Sequence, residues 1–282
     1  MDKPAGPTSH DVVIRVRRTL GVRSAGHTGT LDPFASGLMI ILLGRATRLA
    51  RFVSSQPKRY AATARLGFAT TTDDHTGTPL AAERGRGTAA SAPEVAAALE
   101  SFRGHSLQRP PAYSARHVGG ERSYRLARQG VEVTLPETPV TVHDIAFVAL
   151  RGELVDFRVT VSAGTYVRAL ARDLGERLGT GGHLTALRRE AVGSLDVARA
   201  VPLDALSAST PVLPPLDVLG HLPALALDGD GARNVSHGRP IEAAAVTAAE
   251  GSAVALVREG RLAAVAEVRA GWLQPVVVLE DA

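Results

Sequence analysis

The chain has 282 residues, enough for one large domain and a small one. Hydrophobic residues make up 45% and charged residues 21%, a balance that excludes a disordered chain, and the lack of cysteine excludes disulfides and thiolate metal sites. Net charge is +4, but Lys3 and Lys58 are the only lysines, so the positive charge is almost all arginine. Arginine's planar fork suits phosphate and stacks on bases, although the same enrichment also follows from a GC-rich genome.

No apolar leader follows Met1, and no apolar run exceeds the six residues of 38–43, far short of the roughly 20 residues a membrane span needs. A cytoplasmic protein is the expectation. The first helix is expected after Thr8 or Ser9, where Thr8 and Asp11 resemble a capping box; Val12, Val13, Val16 and Leu20 recur at helical spacing, and Gly21 ends it. A glycine-rich loop follows over 26–33. Residues 38–43 read as a buried strand or a short buried segment, and residues 60–66 as a strand ending at Gly67.

Residues 79–92 read as a long exposed loop. Ser91 and Glu94, with Pro93 in the first turn, open a helix to about Phe102. A short helix is expected over 124–129 and a half-buried strand over 155–161, where Val155, Phe157, Val159 and Val161 alternate with other residues. Thr165 then starts a helix that Gly179 stops. Ser, Thr and Pro cluster over 207–215, marking a boundary: a first domain over 1–212 and a small β-rich one over 213–282, with strands at 253–257, 262–268 and 273–279. Without a strict βαβ rhythm, the fold class is α+β.

Asp32 draws attention first. Gly26 and Gly29 precede it and let another backbone approach, while Pro33 pushes it toward extended geometry. Such a loop presents one carboxylate into a cleft; an Asp-Pro after glycines also reads as a plain turn. No phosphate-binding loop of the Gly-x-x-x-x-Gly-Lys type appears, and the adjacent Asp73, Asp74 and His75 do not by themselves converge on a metal.

The stretch 26–37, Gly-His-Thr-Gly-Thr-Leu-Asp-Pro-Phe-Ala-Ser-Gly, resembles the catalytic motif of the bacterial tRNA pseudouridine(55) synthase (TruB) family. Residues 2–13, 44–48, 58–60, 66–67, 72–77, 108–115, 124–130, 164–168, 173–175 and 187–189 are similar to that family's other motifs in the same order, so the likeness covers about 2–195. Three positions depart: Ala163 and His117 stand where the family usually has lysine, and Thr71 where it has aspartate. By the resemblance each departure weakens an RNA or structural contact, and none lies in the catalytic set.

The resemblance implies a pseudouridine synthase fold, with a central, mostly antiparallel mixed sheet flanked by helices and a small C-terminal PUA-like RNA-binding domain. It implies isomerisation of uridine 55 in the T-arm loop of tRNA, with Asp32, Tyr60 and Arg168 catalytic. The reaction breaks the N1–C1′ bond, turns the uracil and rejoins it through C5, so it needs no cofactor and no metal. It does need a carboxylate beside C1′ and C6, as nucleophile or as support for an oxocarbenium-like centre.

The target base must be flipped from its loop. Tyr60 offers a ring to stack on it and, by resemblance, helps remove the C5 proton; it also reads as a core aromatic. By resemblance Arg168 pairs with Asp32; alone it reads as a phosphate-binding or surface arginine. His27 resembles a substrate contact. Asp74 either bonds a polar group near the target or caps its own turn. Leu187 walls the uracil pocket or is core, and Arg188 and Arg189 suit the phosphate backbone. The expected partner is the tRNA T-arm stem-loop, met by a monomer without a protein partner or a membrane. The C-terminal domain is not markedly basic: Arg233, Arg239, Arg258 and Arg261 stand against Asp228, Asp230, Glu242, Glu250 and Glu259.

Overall fold

A computed structural model describes residues 1–80, 90–114, 116–118, 120–131, 133–243 and 246–279. Most of the loop expected over 79–92 lies outside the described residues, as does Ala115 of the 108–115 motif. The described chain forms two compact units: Met1–Pro33 with Met39–Ser55 and Gly193–Ala282, and Phe34–Leu38 with Gln56–Val192.

In the first unit, local chemistry sets the opening helix, Ser9–Thr19. Thr8 caps it and forms the full capping box with Asp11, so two end groups that lack helical partners are satisfied at once. Val12, Val13 and Val16 form its buried stripe. The apolar run at 38–43 is not one element. Ile41–Leu43 pairs antiparallel with Ala25–His27, setting Ile41 opposite His27, while Met39 and Ile40 are buried between strands.

The C-terminal part of this unit holds a five-stranded sheet in the order Ala224–Ala226, Ala253–Arg258, Arg261–Arg269, Trp272–Val278, Ile241–Glu242. The three expected strands are its centre. The helix Gly229–Ser236, capped by Asp228, was not legible as an apolar stripe but sends Val235 into the core with Val254, Leu256, Ala264, Ala266 and Leu273. Arg45 and Arg48 donate to the carbonyls of Leu279 and Val278, and Arg51 pairs with Glu267 at 2.8 Å, fastening this sheet to the segment after Leu43.

The second unit is built on six strands in the order Ser36–Leu38, Gly182–Val192, Lys58–Leu66, Leu154–Val161, Thr138–Arg151, Gly104–Gln108. The first pairing is parallel and the rest are antiparallel, the mostly antiparallel mixed sheet that was expected. Helix Ala92–Glu100, with the Ser91–Glu94 capping box, packs on the Thr138–Arg151 strand, and helix Val167–Arg177 on Gly182–Val192.

The second of these helices starts two residues later than the sequence suggests. Thr165 is held in a turn by Ser162, and the Tyr166 N–H donates to Gln108 Oε1 at 2.9 Å, so Tyr166 becomes the cap. Strand Gly182–Val192 carries Arg188, Arg189 and Glu190 and has no apolar alternation to announce it.

Candidate active site

In the first unit Asp32 is half-buried in a loop held on both sides of it. On one side, the Ser9 hydroxyl both accepts from the Leu31 N–H and donates to the Leu31 carbonyl, each at 2.9 Å. On the other, the Pro33 carbonyl accepts from the Gly6 N–H at 2.7 Å and from Lys3 Nζ at 3.2 Å. Lys3 is completely buried and also donates to the Pro4 carbonyl. Burying an ammonium is costly unless it is well bonded, so this lysine holds the loop from inside. Its role and that of Ser9 were missed by sequence reasoning. Both lie in the opening motif, but only a fold that returns 22 residues later onto the helix start reveals what they hold. His27 sits at the end of its short strand, half-buried, with Nδ1 accepting from the Gly29 N–H at 3.4 Å.

The other named residues lie in the second unit. Tyr60 is buried on strand Lys58–Leu66, opposite Val159 on one side and Arg189 on the other. Leu187 pairs with Ala62, two residues along, so Tyr60, Leu187 and Arg189 share one sheet face. Arg188 points to the opposite face, which carries the ion pairs of Glu190 with Arg59 and Arg158.

This parity separates two arginines that the sequence treats alike. Arg188 is half-buried and lies 3.5 Å from the Ser36 hydroxyl. Arg189 is only 2% exposed, and its Nε donates to the Leu38 carbonyl at 2.6 Å. Arg189 is therefore packed against the sheet while Arg188 takes the other face, because neighbouring positions on a strand face opposite ways. Lys58, on the Tyr60 face, is held down to a pKa of about 8, first by burial and then by the Arg189 charge; its Nζ donates to the Gln56 carbonyl.

Arg168 stands in the first turn of helix Val167–Arg177 and is buried. It donates to the carbonyls of Thr72 at 2.8 Å and Tyr113 at 2.9 Å, and lies 3.5 Å from Asp74 Oδ2. The Asp74 carboxylate does cap its own turn: Oδ1 accepts from the Thr72 hydroxyl and from the Thr76 N–H and hydroxyl. Its other oxygen faces Arg168. The rings of His75 and Phe34 meet in a T-shaped contact at a centroid distance of 5.2 Å, and Phe34 is two residues after Asp32 in the chain. Asp73, beside Asp74, pairs with Arg172 at 2.9 Å, and burial pushes its pKa up to about 6 against the pull of Arg172 and Arg168. Among the described residues no three His, Asp or Glu side chains are grouped to hold a metal.

The model for the TruB family pseudouridylate synthase N-terminal domain matches residues 17–167, and that for the tRNA pseudouridylate synthase B C-terminal domain matches 168–212. A tRNA pseudouridine synthase B from Thermobifida fusca is 45% identical over 99% of this chain and 96% of its own length. One from Arthrobacter is 42% identical over 99% of this chain and 94% of its own. Among solved structures, a chain from a Cbf5-Nop10-Gar1 complex has a TM-score of 0.76 at 24% identity, covering 99% of this chain and 84% of that one. A chain from an H/ACA RNP bound to a substrate RNA containing 2′-deoxyuridine has a TM-score of 0.75 at 23% identity, covering 99% and 83%. At these identities the likeness to the solved structures is one of fold.

Proposed function

The chain belongs to the TruB family of tRNA pseudouridine synthases, and from that premise we propose that it isomerises uridine 55 in the T-arm loop of tRNA, with Asp32 as the carboxylate at the reacting sugar. The reading rests above all on how the Asp32 loop is held. Ser9 ties the residue before it, and Gly6 and Lys3 tie the residue after it. A plain surface turn needs no buried lysine; a carboxylate that must meet one atom of a flipped nucleotide needs a fixed backbone.

In the proposed reaction the N1–C1′ bond breaks, the uracil turns, C5 bonds to C1′, and the C5 proton leaves as N1 gains one. The product is an isomer of the substrate, so atoms and charge balance without a co-reactant. Asp32 acts at C1′ or at C6. Tyr60 stacks on the everted base, worth about 1–3 kcal/mol, and assists removal of the C5 proton. Arg168 keeps the catalytic carboxylate ionised. His27 contacts the substrate, and Leu187 walls the base pocket. Arg188 is the phosphate contact of the Arg188–Arg189 pair. Asp74 acts through Arg168.

Residues 213–282 are proposed as a PUA-like RNA-binding domain, and the protein as a cytoplasmic monomer that needs no protein partner. The described chain has no helix long and apolar enough to cross a membrane. Light scattering of the free protein tests the monomer.

The decisive experiment uses Asp32→Asn with a T-arm minihelix. Tritium release from C5-labelled uridine reads the chemistry, and filter binding reads the RNA complex. Retained binding without product is expected. A variant that turns over at the parental rate overturns the assignment, and an unmodified minihelix with the parental enzyme overturns the substrate. Binding weakens as salt rises, because arginine contacts release counterions.

A further inference from the structure

We propose that Arg172 is a positioning residue for pseudouridine formation: with Asp73 it locks the turn and the loop from which Arg168 takes its orientation. The proposal rests on the reading of Arg168 as the cation that serves the reacting carboxylate.

Arg168 and Arg172 are four residues apart on one helix, so their side chains lie one above the other on the same face. Both reach the same two segments of chain. Arg168 donates to the Thr72 carbonyl in the 70–78 turn and to the Tyr113 carbonyl in the 109–113 segment. Arg172 bonds Asp73 Oδ2 in that turn at 2.9 Å and the Arg109 carbonyl in that segment at 3.0 Å. The two arginines are parallel braces between three pieces of chain that lie more than 30 positions apart in the sequence.

Asp73 shows why a brace is needed. Its φ is +58°, the left-handed region that a residue with a Cβ enters at a cost. The conformation is held from several directions. The Asp73 N–H donates to Thr70, its carbonyl accepts from the Leu184 N–H, and its carboxylate takes the Arg172 guanidinium. This left-handed step lies between the Thr72 carbonyl, which Arg168 grips, and Asp74, whose Oδ2 faces Arg168. A turn that relaxed at Asp73 would move both of those partners.

Arg172 is itself braced, by Asp173 through Nε and Nη2 and by Glu176 at 3.7 Å. Asp73 is buried and Arg172 half-buried, and all three guanidinium nitrogens are already bonded, to Asp73, Asp173 and the Arg109 carbonyl. A buried ion pair contributes little net stability over an apolar pair of the same shape. Its value here is geometric: one planar fork holds a carboxylate and a carbonyl at once, which a lysine ammonium does with less fixed direction.

The charged groups around the Asp73 carboxylate are Arg172, Arg168 and Asp173 on the helix and Asp74 on its own turn; strand Gly182–Val192 meets the turn through the Leu184 backbone. Protonating Asp73 near pH 6 releases Arg172 from the turn.

The test is kinetic. Arg172→Met is expected to lower kcat on a T-arm minihelix by about 10- to 100-fold with KM little changed, since misplacement remote from the chemistry acts on the bound complex. Arg172→Lys recovers part of the loss. With the Asp73 pKa pushed up to about 6, the parental kcat is expected to fall on an acid limb near that pH, and Asp73→Asn is expected to remove the limb and leave a low kcat. Melting curves and filter binding accompany each variant; if Arg172→Met does not fold, Asp73→Asn, nearly isosteric, decides. Arg172→Met or Asp73→Asn with the parental kcat and pH profile overturns the proposal. Arg168→Met separates the two readings: if it is inactive while Arg172→Met is fully active, only the brace is wrong. If both are fully active, the role given to Arg168 is wrong as well.

Discussion

The six-stranded sheet of the second unit and the five-stranded sheet of the first bury different chemistry. Around the six strands, cations are part of the interior: Arg168 and Arg189 are gripped by backbone carbonyls, and Lys58 is held against the Gln56 carbonyl. The five-stranded sheet has an aliphatic core of Val254, Leu256, Ala264, Ala266 and Leu273, and its arginines and acids stand at the rim. Trp272, the chain's only tryptophan, is 47% exposed beside Asp228, Asp230 and Glu242. Desolvating a cation is costly unless fixed partners replace its water, as the carbonyls around the six strands do. The six-stranded sheet is therefore a frame for oriented charges, and the five-stranded sheet a compact support.

Leu256→Ala attacks the support and is expected to cost about 2–5 kcal/mol, read as a shift in the urea midpoint, with kcat on a minihelix unchanged. A fall in kcat at full folding would show that the two sheets are not separable in this way. Gly175→Ala attacks the frame. Gly175 lies where helix Val167–Arg177 touches the 181–182 backbone; a Cβ would sit 2.1 Å from Gly181 C and Gly182 N. Neither is a side chain that can rotate away, so the substitution costs about 1–3 kcal/mol. Because the same helix carries Arg168, kcat falls too, which distinguishes it from the Leu256 variant.

Lys58 sharpens the contrast through pH. Its folded pKa is near 8 against an ordinary 10.5, so between those values the native chain has released a proton that the unfolded chain still holds. Stability from this group rises with pH across that window. Lys58→Met removes that slope, and urea midpoints at the two ends of the window, for parent and variant, measure it. The smallest effect belongs to Glu190, whose partners Arg59 and Arg158 are largely exposed. Glu190→Gln shifts stability by about 0–1 kcal/mol. A larger loss would mean that the ion-pair face also supports the frame.

Legibility followed the range of the forces. Helix Ser9–Thr19 was readable to its cap because Thr8 and Asp11 are three residues apart and satisfy each other. The strand at 155–161 was readable because one of its faces is apolar. Strand Gly182–Val192 was not, because Arg189 donates to a carbonyl 151 residues away and Glu190 is paired by arginines on two other strands. The same blindness joined Arg188 to Arg189 and left Ser9 as only an alternative cap. It left Asp73 and Arg172 without roles.

By itself the amino-acid sequence determined the family, the capped helices, the apolar strands and the residues worth testing, since these follow from spacing over a few positions. Only the tertiary structure decided which face each arginine takes, what Lys3 and Ser9 hold, and why Asp73 can stand in a left-handed turn. Those outcomes depend on carbonyls and carboxylates brought from distant segments, and a buried charge takes its meaning from the groups that replace its water.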